Sequence, residues 1–192
     1  MLLAFVDNDR LALEVAKEAE RKDFKDFYTP LILASLMYFK GDSVKEFYEI
    51  LNRVRLLARE RQDVIKRVID ACARPCVTQE LASRLRVRAR RMELTAMNNI
   101  AYAVAADVAE GRKEAEALLP IAVEYADDLR EADKKDPEAS DDTFLDTAAF
   151  VTIVAEAHRA RSKMTNLNKK KIEEAITLLE KLDAKEFEIP EK

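Results

Sequence analysis

Small and apolar residues recur along this chain at steps of four and then three, the steps that keep side chains on one face of an α-helix. Four such triplets stand out: Ala12/Ala16/Ala19, Val44/Tyr48/Leu51, Ala115/Leu119/Ala122 and Ala175/Leu179/Leu182. Two of them follow closely on the only two glycines, Gly41 and Gly111. A repeated stripe behind a repeated breaker predicts an array of helical hairpins. Asp7 or Asp9 caps a first helix over 9–21, and Thr29-Pro30 opens a second that ends near Gly41. Ser43 and Glu46 form a capping box for a helix to about residue 58. Helices are then expected over 62–73, 79–92, 95–108, 112–130, 143–160 and 169–183. Between Leu51 and Cys72 no breaker intervenes, so one long helix is the alternative there. Pro120 is expected to kink the helix over 112–130, because proline removes a donor and clashes with the preceding turn. An acidic linker over 130–142 and a polar loop over 162–168 separate the last elements.

The triplets begin at residues 12, 44, 115 and 175, giving intervals of 32, 71 and 60. The first is near one helical-hairpin repeat of roughly 34 residues and the second near two. The reading is therefore one all-α domain over 1–192, with approximate repeats 1–27, 28–60, 61–93, 94–136 and 137–185. Two Gly against an abundance of Ala, Leu, Glu, Lys and Arg argue against sheet-based folds.

The segment Met97-Asn98-Asn99-Ile100-Ala101-Tyr102 pairs a large apolar residue with a small one, and Ala115/Leu119/Ala122 follows it. Leu145-Asp146-Thr147-Ala148-Ala149-Phe150-Val151 repeats the phrase ahead of Ala175/Leu179/Leu182. Leu33-Ala34 with Val44/Tyr48/Leu51 is a weaker version. These segments resemble the tetratricopeptide repeat, best over 95–183 and least over 62–92, in phrasing often seen in bacterial members. The resemblance implies a right-handed superhelical solenoid of antiparallel helix–turn–helix units, about nine helices in all. It also implies a concave groove, lined by first helices, that receives a peptide or a partner helix. Carried over by position, the groove residues are Asn98, Asn99, Tyr102, Asp146, Thr147 and Phe150. Asparagine pairs with both donor and acceptor of a peptide backbone, and aromatic rings anchor at small entropic cost. The function so implied is a protein–protein interaction scaffold.

Charge adds a competitor. Residues 53–91 hold twelve Lys/Arg against four Asp/Glu, net +8, whereas 107–146 hold five against fourteen, net −9. Arg84, Arg86, Arg88, Arg90 and Arg91 form a basic block suited to phosphate, and helical repeats do bind RNA. The whole-chain charge of −4 weighs against that reading, and on a helix these arginines are expected to point several ways. Contacts of the basic block with the acidic half, or a solvated basic surface, explain it more simply. Self-association is a further alternative, through an apolar face left open at a terminal repeat.

No catalysis, metal or cofactor is expected. The only histidine, His158, has no nucleophile or carboxylate at a recognisable spacing and is expected to end a helix. Two glycines used in turns leave no phosphate-cradling loop. Cys72 and Cys76 flank Pro75 with a three-residue spacer, which fits a reduced structural pair better than redox or zinc chemistry. The most apolar stretch, 30–39, is far short of the roughly 20 residues that span a bilayer. The start MLLAFVDND lacks the basic region of a signal peptide, so a cytoplasmic location is expected, unless the chain is an excised fragment.

Overall fold

Every element observed is a helix. A computed structural model describes Leu33 and residues 44–71, 77–163 and 167–186. These hold six helices and no strand: α1 (Val44–Ala71), α2 (Val77–Ala109), α3 (Lys113–Glu116), α4 (Leu119–Lys135), α5 (Asp142–Lys163) and α6 (Lys169–Glu186). The helices expected over 9–21 and 30–41 and the Cys72/Cys76 pair lie outside the described residues, except that Leu33 is helical and buried. Two compact units are distinguished, Met1–Ala96 and Met97–Lys192, with α2 contributing residues to each.

In the first unit the alternative of one long helix holds, because α1 runs unbroken through residues 58–62. Phe47, Leu51, Val54 and Ala58 are all buried, and steps of four, three and four put them on one stripe. Val54 and Ala58 pack with Ala96 of α2, and Leu57 and Met92 close over them. One buried carboxylate joins the two helices. Glu93, 5% exposed, accepts from Gln62 Nε2 at 2.8 Å and from Arg90 Nη1 at 2.7 Å. The separate helices expected over 79–92 and 95–108 are likewise one, α2. Met92 to Thr95 contains no glycine or proline, and the Thr95 hydroxyl donates back to the Arg91 carbonyl at 2.8 Å instead of capping a new helix, so the ladder continues.

In the second unit, the end of α2 is apolar on most sides. Met97, Ile100, Ala101, Ala103, Val104, Ala105 and Val108 are all buried, as befits a helix enclosed by others. Gly111 then ends the helix, as expected, at φ +82°. The amide of Gly111 donates to the Val108 carbonyl at 3.0 Å and that of Arg112 to the Asp107 carbonyl at 2.9 Å. This is a Schellman cap, which requires a left-handed residue at the position of Gly111. A Cβ there would meet nothing within 4 Å, so Gly111→Ala carries only the conformational cost. The variant should be about 1 kcal/mol less stable by urea unfolding. An unchanged midpoint would show that the cap contributes nothing.

Pro120 does not kink a long helix. α3 ends after one turn, and Pro120 sits in the first turn of α4, where its missing N–H has no intrahelical acceptor to lose. Ala115, Leu119 and Ala122 are nonetheless all buried, so the triplet packs as a stripe across the break. Asp141 caps α5, its Oδ1 accepting from the Thr143 amide at 3.2 Å. Asn168 caps α6 in the same way, with the Lys171 amide at 3.4 Å. α4 packs on α5 and α5 on α6, and α5 accordingly buries residues on several sides, among them Phe144, Ala148, Ala149, Val151 and Val154.

Candidate functional site

Asn98, Asn99 and Tyr102 lie three and four apart on α2, and Asp146 and Phe150 four apart on α5, so each set shares a helix face. The fold brings the two faces together at the aromatic residues. The ring centroids of Tyr102 and Phe150 are 5.6 Å apart and tilted by 38°, within the range of a favourable aromatic pair. Tyr102 is still 47% exposed, although it stands between the fully buried Ala101 and Ala103. Beside it, Asn98 Nδ2 donates to Asn99 Oδ1 at 3.3 Å. Asn98 Oδ1 is buried and has no hydrogen-bond partner among the described residues. Asp146 and Phe150 are half-buried, but Thr147 is 6% exposed and belongs to the core instead of the surface. An exposed tyrosine, a supporting phenylalanine and two carboxamides are thus collected on one surface of the second unit.

A concavity of about 320 Å³ lies among α4, α5 and α6. Its apolar floor includes Ala126, Val151 and Ala175, and charged groups flank it. Arg130 of α4 reaches across to α5, donating to the Ala148 carbonyl at 2.6 Å and to Thr152 Oγ1, while its other amine pairs with Asp127 at 2.9 Å. Glu156 is 6% exposed and accepts from Arg159 Nη2 at 2.9 Å, with Lys171 Nζ of α6 at 3.4 Å. Burial alone would raise the Glu156 pKa, but the hydrogen bonds from Arg159 and Lys171 outweigh it and hold the carboxyl below its ordinary range. These groups satisfy one another, so they act as ties between helices.

Two further polar contacts were not visible from spacing. His158 Nε2 lies 3.6 Å from Glu116 Oε2, and α5 continues past His158 to Lys163, so this histidine has a carboxylate neighbour and does not end its helix. Asp107, buried at the end of α2, pairs with Arg112 at 3.2 Å. Burial raises the Asp107 pKa above the ordinary carboxylate range, Arg112 opposes this, and Glu110 adds to it.

The basic block divides on the continuous helix. Arg84, Arg88 and Arg91 are exposed and lie four and three apart, hence on one face. Arg86 is exposed elsewhere on the helix, and Arg90 is half-buried in its bond to Glu93. The expectation that these arginines point several ways therefore holds for two of the five only. Among the described residues, no helix is long and apolar enough to cross a membrane, and no group of three or more metal-ligating side chains is assembled. Comparisons with protein-family models, curated proteins and solved structures gave no significant match.

Proposed function

We propose that this chain is a protein–protein interaction module whose α2–α5 surface receives an extended peptide or a partner's helix. The observation that carries the reading is Tyr102, half exposed and braced at 5.6 Å by Phe150. A large ring held in place offers contact area with little rotamer entropy left to lose on binding. Asn98 and Asn99, both half-buried beside the ring, add carboxamides of the kind that pair with a peptide backbone. The reading extends to the architecture: helix pairs stacked as a tetratricopeptide-like solenoid of about nine helices. The fully buried small residues Ala101, Ala148 and Ala149 support it, since close helix approach needs them.

Replacing Asn99 and Tyr102 together by Ala tests the surface. Both side chains are at least partly exposed, so the melting temperature should change little. With the chain as bait in nuclease-treated lysate, proteins retained by the unaltered chain should be lost, with affinity reduced at least about tenfold. Equal retention by an equally stable variant would remove this surface from the hypothesis.

A further inference from the structure

Two exposed helix faces on this chain carry complementary charge in matching order. On α2 the residues Glu80, Arg84, Arg88 and Arg91 are all exposed, and their spacing confines them to an arc of about 80°. On α4 the exposed residues Glu124, Asp128, Glu131 and Lys135 fall within an arc of about 60°. The α2 stripe reads minus, plus, plus, plus; the α4 stripe reads minus, minus, minus, plus. Each contains local ion pairs, Arg84–Glu80 at 2.6 Å on α2 and Lys134 and Lys135 with Glu131 at 3.1 Å on α4, and the four formal charges sum to +2 on the α2 stripe and −2 on the α4 stripe.

The order matters more than the totals. Set antiparallel, Glu80 faces Lys135, Arg84 faces Glu131, Arg88 faces Asp128 and Arg91 faces Glu124. All four positions are opposite in sign. Both stripes span eleven residue steps, about 16 Å of helix, and the paired positions agree along the axis to within about one residue's rise. Set parallel, the first position places Glu80 against Glu124 and the last Arg91 against Lys135, so two of the four become repulsive. Attraction in one direction and repulsion in the other is how charge patterns specify a partner's orientation. Leu81 and Leu85, 56% and 45% exposed beside the α2 stripe, supply apolar area that such a contact would cover.

We propose that α2 of one copy docks antiparallel on α4 of a second copy. The two stripes are different surfaces, so the contact is heterologous and propagates head to tail unless it closes on itself. Two helix faces of this length fall at the small end of interface sizes, and exposed ion pairs are individually weak, so the association is reversible and salt-sensitive.

The test is sedimentation velocity on the full, nuclease-treated chain. At about 20 mM salt the mean mass should rise with protein concentration, and at about 500 mM salt, where exposed charges are screened, it should fall towards the monomer. Two triple variants then separate the stripes: Arg84→Glu/Arg88→Glu/Arg91→Glu, and Glu124→Lys/Asp128→Lys/Glu131→Lys. All six side chains are exposed, and circular dichroism confirms that the helices persist. Each variant alone should lose at least about tenfold in association constant. An equimolar mixture should associate again, since one variant presents two acidic stripes and the other two basic ones. A mass independent of concentration overturns the proposal, as does a mixture that stays monomeric. Association seen only before nuclease treatment, and sensitive only to the arginine variant, would assign the α2 stripe to nucleic acid instead.

Discussion

Ile100→Ala should destabilise the second unit by about 3 kcal/mol, a large share of the stability of a domain this size. Ile100 has no exposed surface and stands on α2 between the buried turns that carry Met97 and Val104. Truncation forfeits the transfer free energy of three carbons and leaves a cavity. The cavity term is expected to be high, because Ala103, three residues along on the same face, has no side-chain length to move into the space. Urea unfolding followed by circular dichroism measures the loss. The two units need not unfold together, so the later and earlier transitions are compared separately. A cost below about 1 kcal/mol would mean that the site collapses readily and that α2 is not tightly enclosed there.

Local signals in the sequence were strongest where a breaker or a cap acts through its own backbone. Gly111 ends α2 because a left-handed position needs it, whereas Asn168, which caps α6, reads in the sequence only as part of a polar loop. Spacing alone also places Leu51, Ala115, Leu119, Ala122, Ala175 and Leu182 in the core, whereas Tyr48 and Leu179 of the same triplets are only half-buried. A boundary is not legible where the chain itself carries no stop signal. Met92 to Thr95 offers no reason for a helix to end, and it does not. Pro120 was misplaced for a related reason: proline is hostile in a helix interior and harmless in a first turn, and spacing did not show that α3 stops after four residues.

The candidate surface was legible in part. The resemblance points to Tyr102 and Phe150, which are 48 residues apart in sequence and meet only in the fold. Thr147 was drawn in by the same argument but faces the core, since one face of a helix buried on several sides is hard to assign from sequence. The ties at Glu156 were half visible. Arg159 is three residues along the same helix, whereas Lys171 arrives from α6 and no local rule announces it. The α2 charge stripe was hidden by its neighbours. Arg86 and Arg90 interrupt the run, and only a continuous helix separates them from Arg84, Arg88 and Arg91.

Ala149→Leu should cost about 2 kcal/mol or more, by the opposite route to Ile100→Ala. Ala149 is fully buried on α5, the helix that has α4 packed on it and packs in turn on α6. Three added carbons can be accommodated only by off-rotamer side chains or by displacing a neighbouring helix. Displacement of α4 would also strain the bonds from Arg130 to the Ala148 carbonyl and Thr152, which fix the α4–α5 approach. Ala157→Leu on the same helix is the control, because that position is exposed and the change should stay within about 0.5 kcal/mol. The two together separate helix propensity, which they share, from packing, which only Ala149 feels. If Ala149→Leu were as well tolerated as Ala157→Leu, the small residues would not be setting the helix separation. Ala148 and Ala149 would then lend no support to stacked hairpins, while the caps and breakers would still set where the helices begin and end.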